Sequence, residues 1–337
     1  MNNNDEVFDR IPVILCVDLE PDDFFVDRNN PKPWSGFEFS HGYLQDLRSR
    51  FEGATGRSVH FCWSIRMDPQ VAIAYGSPAW VVDQYAAFFE EYRSHGDDLG
   101  IHVHTYRWSK SRDAWLDDCG NPEWVTECLE SSVDSFRNAF GESSQTLRFG
   151  NFWLSTRAVN EAEALGLKYD LTIEPGLQSI LKDGNKPPQS GPTPDFFRVP
   201  RVPYRPSITD FRNQSDAGRS RNITMIPLTS AYIELGWHPG RWRHRLGRLR
   251  RNGINGRLQN QPLSMWRKWE GRDSFPLMLD RAIAAQERPY LAFAIRSDIN
   301  GKDFPAYDSC LKALLDHPFA SRFAFCTPSE ALGYLAA

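Results

Sequence analysis

The chain has little of several things that would narrow its class at once. Only six of its 337 residues are cysteine, and Cys16, Cys62, Cys119, Cys128, Cys310 and Cys326 show no C-x-x-C spacing. That argues against a disulfide scaffold or a thiol-rich zinc module. Cys16, Cys62 and Cys326 lie in apolar runs, where a buried free thiol is the plain reading. No apolar run approaches the roughly 18 residues of a membrane span. The start, "MNNNDEVFDRIP", lacks a basic stretch followed by an apolar one, so no secretory signal is expected. With the scattered thiols, this points to the cytoplasm. A net charge of -4 is too small and of the wrong sign to suggest nucleic acid as a partner. What remains is a balanced soluble composition, 41% hydrophobic and 24% charged.

Short apolar runs alternate with amphipathic patterns. "IPVILCVD" (11–18), "SVHFCWSI", "LGIHVH", "TLRFG", "KYDLTI", "NITMIPL", "YLAFAIR" and "RFAFCT" read as strands. "SHGYLQDLRSRFEGATG", "PAWVVDQYAAFFEEYRSHG", "PEWVTECLESSVDSFRNAFG", "STRAVNEAEALG" and "AYDSCLKALLDH" read as helices, several with a capping residue and a glycine stop. The alternation predicts a parallel α/β sheet of seven or eight units, open or closed into a barrel, spanning 1–337 as one domain. Two segments break the rhythm. Residues 175–222 are rich in proline and glycine, long enough to be an insertion or a lid. Residues 240–257 carry seven arginines and no acid. They read either as a solvated basic surface or as a contact for phosphate or an anionic membrane surface.

The chain has eight histidines, and two stand one residue apart in "LGIHVH". On a strand, i and i+2 share a face, so His102 and His104 project side by side. They are either a metal clamp or a structural pair. "CVDLEPDD" ends the first strand with Asp18 and Glu20 at the same i,i+2 spacing, followed by Asp22 and Asp23. Acids crowded there repel one another unless a cation or an arginine relieves them; the alternative is a solvated, helix-capping turn. One carboxylate and two histidines form a three-ligand set with room for water, and the other carboxylate is then a general base. Arg148, opening "RFGNFW" at a third strand end, is placed to hold such a base; a surface ion pair is the other reading. Arg66 with Asp68, and Arg296 with Asp298, close two more strands. Arg66, Asn151 and Trp153 are candidates to line a substrate site.

The order of these motifs resembles the polysaccharide deacetylase superfamily, the NodB-homology domain of carbohydrate esterase family 4. The resemblance runs from about Pro12 to about Leu335, and it looks nearest to the WbmS-like branch of O-antigen and capsule biosynthesis. It implies a distorted (β/α)7 barrel, a divalent metal, usually Zn2+, and hydrolysis of an N-acetyl or related acyl group on a sugar. The substrate would be an acetylated sugar, nucleotide-linked, lipid-linked or in a glycan. By resemblance Asp18 is the general base, Glu20, His102 and His104 hold the metal, and Arg148 supports Asp18. The commoner pattern has its second histidine where Tyr106 stands. The family's late histidine acid is missing from "FAIRSD", leaving Asp298, Arg296 or His238 for that task. Rival readings are a hydrolase of non-sugar amides, a metal-free glycosidase with two carboxylates, and an inactive carbohydrate-binding relative.

Overall fold

A computed structural model describes residues 10–23, 25–181, 188–216, 221–234, 258–263, 265, 275–297 and 304–336. The Arg-rich segment, apart from its neighbours, therefore lies outside the described residues, as do His238 and Asp298.

The core is a parallel sheet. Its strands are β1 (Ile11–Leu19), β2 (Cys62–Arg66), β3 (Asp98–Val103), β6 (Thr146–Phe149), β7 (Tyr169–Asp170), β8 (Thr224–Met225), β11 (Leu291–Arg296) and β12 (Phe323–Phe325). They are ordered β11-β1-β2-β3-β6-β7-β8, with β12 also paired to β1. Two antiparallel pairs stand apart, β4 (Tyr106–Ser109) with β5 (Ala114–Asp117), and β9 (Ser230–Glu234) with β10 (Leu258–Pro262). The sheet curls, and past β8 the seam towards β11 is irregular. There the Thr229 N–H donates to the Ala292 carbonyl (2.8 Å) while its hydroxyl accepts from the Ala292 N–H (2.7 Å). The result is the expected α/β architecture, a distorted (β/α) barrel.

Nine α-helices are present among the described residues: α1 (Ser35–Thr55), α2 (Pro69–Tyr75), α3 (Trp80–Gln84), α4 (Ala86–Ser94), α5 (Pro122–Phe140), α6 (Thr156–Ala164), α7 (Phe275–Ala284), α8 (Phe304–Leu315) and α9 (Pro328–Ala336). The strands bury both faces, which is why β1 reads as an unbroken apolar run. Alternate residues go to different cores. Val13, Leu15, Val17 and Leu19 join the helix-side cluster, whereas Ile14 and Cys16 pack inside the barrel with Cys62, Leu171, Ile226 and Cys326. Asp18 and Glu20 continue the inward series.

Two helices and one loop segment bear on the expectations. α1 starts five residues early, because the Asp22 carboxylate reaches its first turn and accepts from the N–H groups of Ser35 (3.0 Å) and Gly36 (2.8 Å). The predicted 78–96 helix is broken at Tyr85, whose ring packs edge-on against Phe37 at 5.1 Å and whose backbone is non-helical. In the described parts of 175–222, Phe196, Tyr204 and Phe211 are buried.

Candidate active site

Strand register assembles the site. Asp18 pairs with Ser64, Arg66 with His102, and His102 with Arg148. Carried two residues on, the same register faces Glu20 towards Arg66. Acid, guanidinium, imidazole and guanidinium thus meet in one layer at the carboxyl ends of four neighbouring strands, the end that carries active sites in barrels of this kind.

Within that layer three acceptor atoms converge. Glu20 Oε1 lies 3.1 Å from His102 Nε2 and 3.0 Å from His104 Nε2, and the two ring nitrogens are 3.0 Å apart. All three residues are buried, and among the described residues they form a set able to hold a metal ion. His102 Nδ1 faces the Arg148 carbonyl at 2.9 Å. A proton on Nδ1 satisfies that carbonyl and leaves Nε2 with a bare lone pair turned inward. Burial pushes His104 down to about 4, so its ring is neutral near pH 7. Burial opposes ionisation of Glu20, but the Arg66 guanidinium, with any proton shared from the two imidazoles, outweighs it and holds the carboxyl well below the usual range. A carboxylate and two neutral imidazoles are the donor set of a divalent transition metal.

Two buried ion-pair chains flank these donors. Arg148 Nε bridges both oxygens of Asp18 at 2.9 Å; its Nη1 donates to the Leu171 carbonyl at 2.7 Å and its Nη2 lies 3.5 Å from Glu174. Arg66 donates to Glu20 Oε2 (2.8 Å), Asp68 (2.5 Å) and Gln70 (2.6 Å). Burial works against the charge on both arginines, but the adjoining carboxylates raise their pKa values above the usual range. Within these two chains, leaving aside Arg296 beside Asp18, four formal carboxylates face two guanidiniums, an excess of two negative charges. A bound divalent ion would cancel them, and isolated buried charge is costly otherwise.

The residues expected to meet substrate fall differently. Arg66 is wholly buried and holds Glu20, so it is not a lining residue. Trp153 is 9% exposed and packs edge-on against Phe149 in the helix-side core. Asn151 is half-buried and donates to the Tyr106 hydroxyl and to Asp117, each at 2.9 Å. Tyr106 is a ring neighbour of His104, stacked at 5.0 Å and 23°. Arg296 ends β11 level with Asp18, and Ser297 Oγ accepts from the Glu20 N–H at 2.9 Å. Sequence reasoning did not single out Glu174, Gln70 or Gly150. The glycine after Arg148 was the available signal: a Cβ there would fall on the Nε2 end of the His104 ring.

The chain matches no protein-family model, and no curated protein matches it. Solved structures do resemble it. A protein from Parabacteroides distasonis, described as a glycoside hydrolase/deacetylase, aligns over 96% of this chain and 71% of its own at a TM-score of 0.54 and 13% identity. One from Mycobacterium smegmatis, described as a polysaccharide deacetylase, aligns over 97% and 91% at a TM-score of 0.46 and 9% identity. What is shared with the first is the fold. A shared fold does not fix function, so the chain's own residues must decide it.

Proposed function

We propose that the protein is a metal-dependent hydrolase that removes an N-acetyl or related acyl group from a sugar. The observation that carries this reading is the convergence of Glu20 Oε1, His102 Nε2 and His104 Nε2 beside a carboxylate, Asp18, that Arg148 holds with two hydrogen bonds. Held by those three donors, a divalent ion supplies Lewis acidity to an acyl carbonyl and to water. Asp18 then takes the proton of the attacking water as general base. Arg148 fixes the direction of its carboxylate and balances its charge. The His102 ring is oriented by the Arg148 carbonyl, and Glu20 by Arg66. Burial of all these groups keeps bulk water from competing for their hydrogen bonds. Water adds to the carbonyl carbon, the C–N bond breaks, and acetate and an amine leave. The amine needs one proton, and the one Asp18 has taken up balances the reaction; of the other candidate donors, Asp298 and His238 lie outside the described residues and Arg296 ends β11 level with Asp18.

Motif order supports the finer assignments. These are Zn2+ as the ion, a nucleotide-linked, lipid-linked or glycan substrate in surface-polysaccharide biosynthesis of the WbmS-like kind, and a single domain. Six buried free cysteines favour a reducing cytoplasm. Among the described residues no helix is long and apolar enough to cross a membrane. The test is acetate release by chelator-treated and zinc-reloaded protein from UDP-N-acetylglucosamine, from N-acetylated chito-oligosaccharides and from acetanilide. Zinc-dependent release from either sugar, and little from acetanilide, is expected. Release from acetanilide alone would replace the sugar reading with a general amidase, and release unaffected by chelation would overturn the metal.

A further inference from the structure

The turn that follows Arg148 runs Gly150–Asn151–Phe152 and has two unusual features. Asn151 and Phe152 both have φ of +57°, a left-handed conformation that costs energy for a phenylalanine. Gly150 does not share it, so backbone freedom is not why a glycine is there. What excludes a larger residue is His104. A Cβ on Gly150 would collide with Nε2, Cε1 and Cδ2 of that ring. Gly150 is tied to the histidine strand by its N–H, which donates to the Val103 carbonyl at 2.9 Å.

The neighbouring contacts hold the same ring. Tyr106 stacks on it at 5.0 Å. The Tyr106 hydroxyl lies 2.9 Å from Asn151 Nδ2 and 3.2 Å from Oδ1, and Asn151 donates again to Asp117 at 2.9 Å. Asp117 also accepts from the Thr105 hydroxyl at 2.6 Å. The His104 backbone N–H donates to Asp68 at 3.1 Å. The Tyr106 ring limits where the imidazole can go, the other bonds fix Tyr106 and the His104 backbone, and the missing Cβ of Gly150 defines the space the ring fills.

We infer that Gly150 is a positioning residue for His104, with Asn151 and Tyr106 completing the clamp, and that the left-handed turn exists to place them. Gly150 makes room at the donor end of the ring, and Asn151 locks the tyrosine that stacks on it. This rests on the proposed function for the statement that the positioned nitrogen binds a metal, but the packing claim stands separately.

The experiment uses the full chain as wild type, Gly150→Ala, His104→Ala and the double variant. One measurement is the metal-free thermal midpoint. Gly150→Ala should lower Tm by roughly 4 °C or more in the wild-type background, or prevent folding, and should have no effect once His104 is alanine. An equal loss in both backgrounds, or failure of the double variant to fold, would overturn the inference. The other measurement is titration of chelator-treated protein with Co2+, followed by its visible absorption. For a folded Gly150→Ala protein, binding about 10-fold to 100-fold weaker, with an altered spectrum, is expected. Wild-type affinity and spectrum in that variant would overturn the positioning role. Wild-type protein that takes up no Co2+ would count against the proposed function instead, and the stability comparison would still decide the packing claim.

Discussion

A carboxylate oxygen and two imidazole nitrogens within 3.1 Å of one another repel unless a proton or a cation lies among them. The Nδ1 of His102 is committed to a carbonyl, and burial keeps His104 neutral near pH 7, so protons are in short supply. His104→Ala should accordingly reduce bound Zn2+ from about one ion per chain to nearly none, measured by elemental analysis, and abolish activity with it. Asp18→Asn should behave differently. It should keep the metal and lose about 10²-fold to 10⁴-fold in rate, because a general base is removed and no ligand is; loss of metal in that variant would count against the division of labour between the two acids. Asp170, in the strand beside Arg148, offers a test that leaves the three metal donors untouched. Burial pushes its carboxyl up to about 7, only partly opposed by Thr172 and Arg148, and its Oδ2 has no hydrogen-bond partner among the described residues. The unfolded carboxyl titrates near 4, so between about pH 4 and 7 the folded chain holds a proton that the unfolded chain releases. Stability therefore falls as pH rises through that window, and the penalty is complete above it. Asp170→Asn should be more stable than wild type at pH 8, by up to about 4 kcal/mol, with the gain shrinking towards pH 4 in urea titrations. A constant difference across pH would remove Asp170 as the cause.

The elements show what the sequence made legible and what it hid. Strand alternation was enough to place Asp18, Glu20, His102 and His104 on the inner face, because period two is a local property. Arg148 was legible for the same reason, at the end of a short strand. What it holds also includes Glu174, at the end of the strand-like run 168–173, of which only Tyr169–Asp170 pairs as a strand. Arg66 and Asp68 were visible as charges at a strand end, but their task depends on register between β1, β2 and β3, which pairs residues far apart in sequence. The β4–β5 hairpin was hidden by its short, polar, aromatic strands. The early start of α1 was missed because its cap comes from 13 residues upstream. Asp22→Ala should cost about 1 kcal/mol of stability and leave metal content unchanged. If metal were lost as well, the acid would belong to the site and not to the helix.

At the scale of the molecule, the barrel brings strand ends into one ring, and register decides which charges meet there. Two chains of acid, arginine and acid leave an excess of two negative charges around His102 and His104. That imbalance, together with the donor geometry, makes metal uptake the central claim. It is tested most directly by crystals of the full chain grown with Zn2+ and measured on both sides of the zinc absorption edge. One strong anomalous peak is expected within about 2.3 Å of Glu20 Oε1, His102 Nε2 and His104 Nε2. A map with no peak there, from protein that still releases acetate from its sugar substrate, would contradict it.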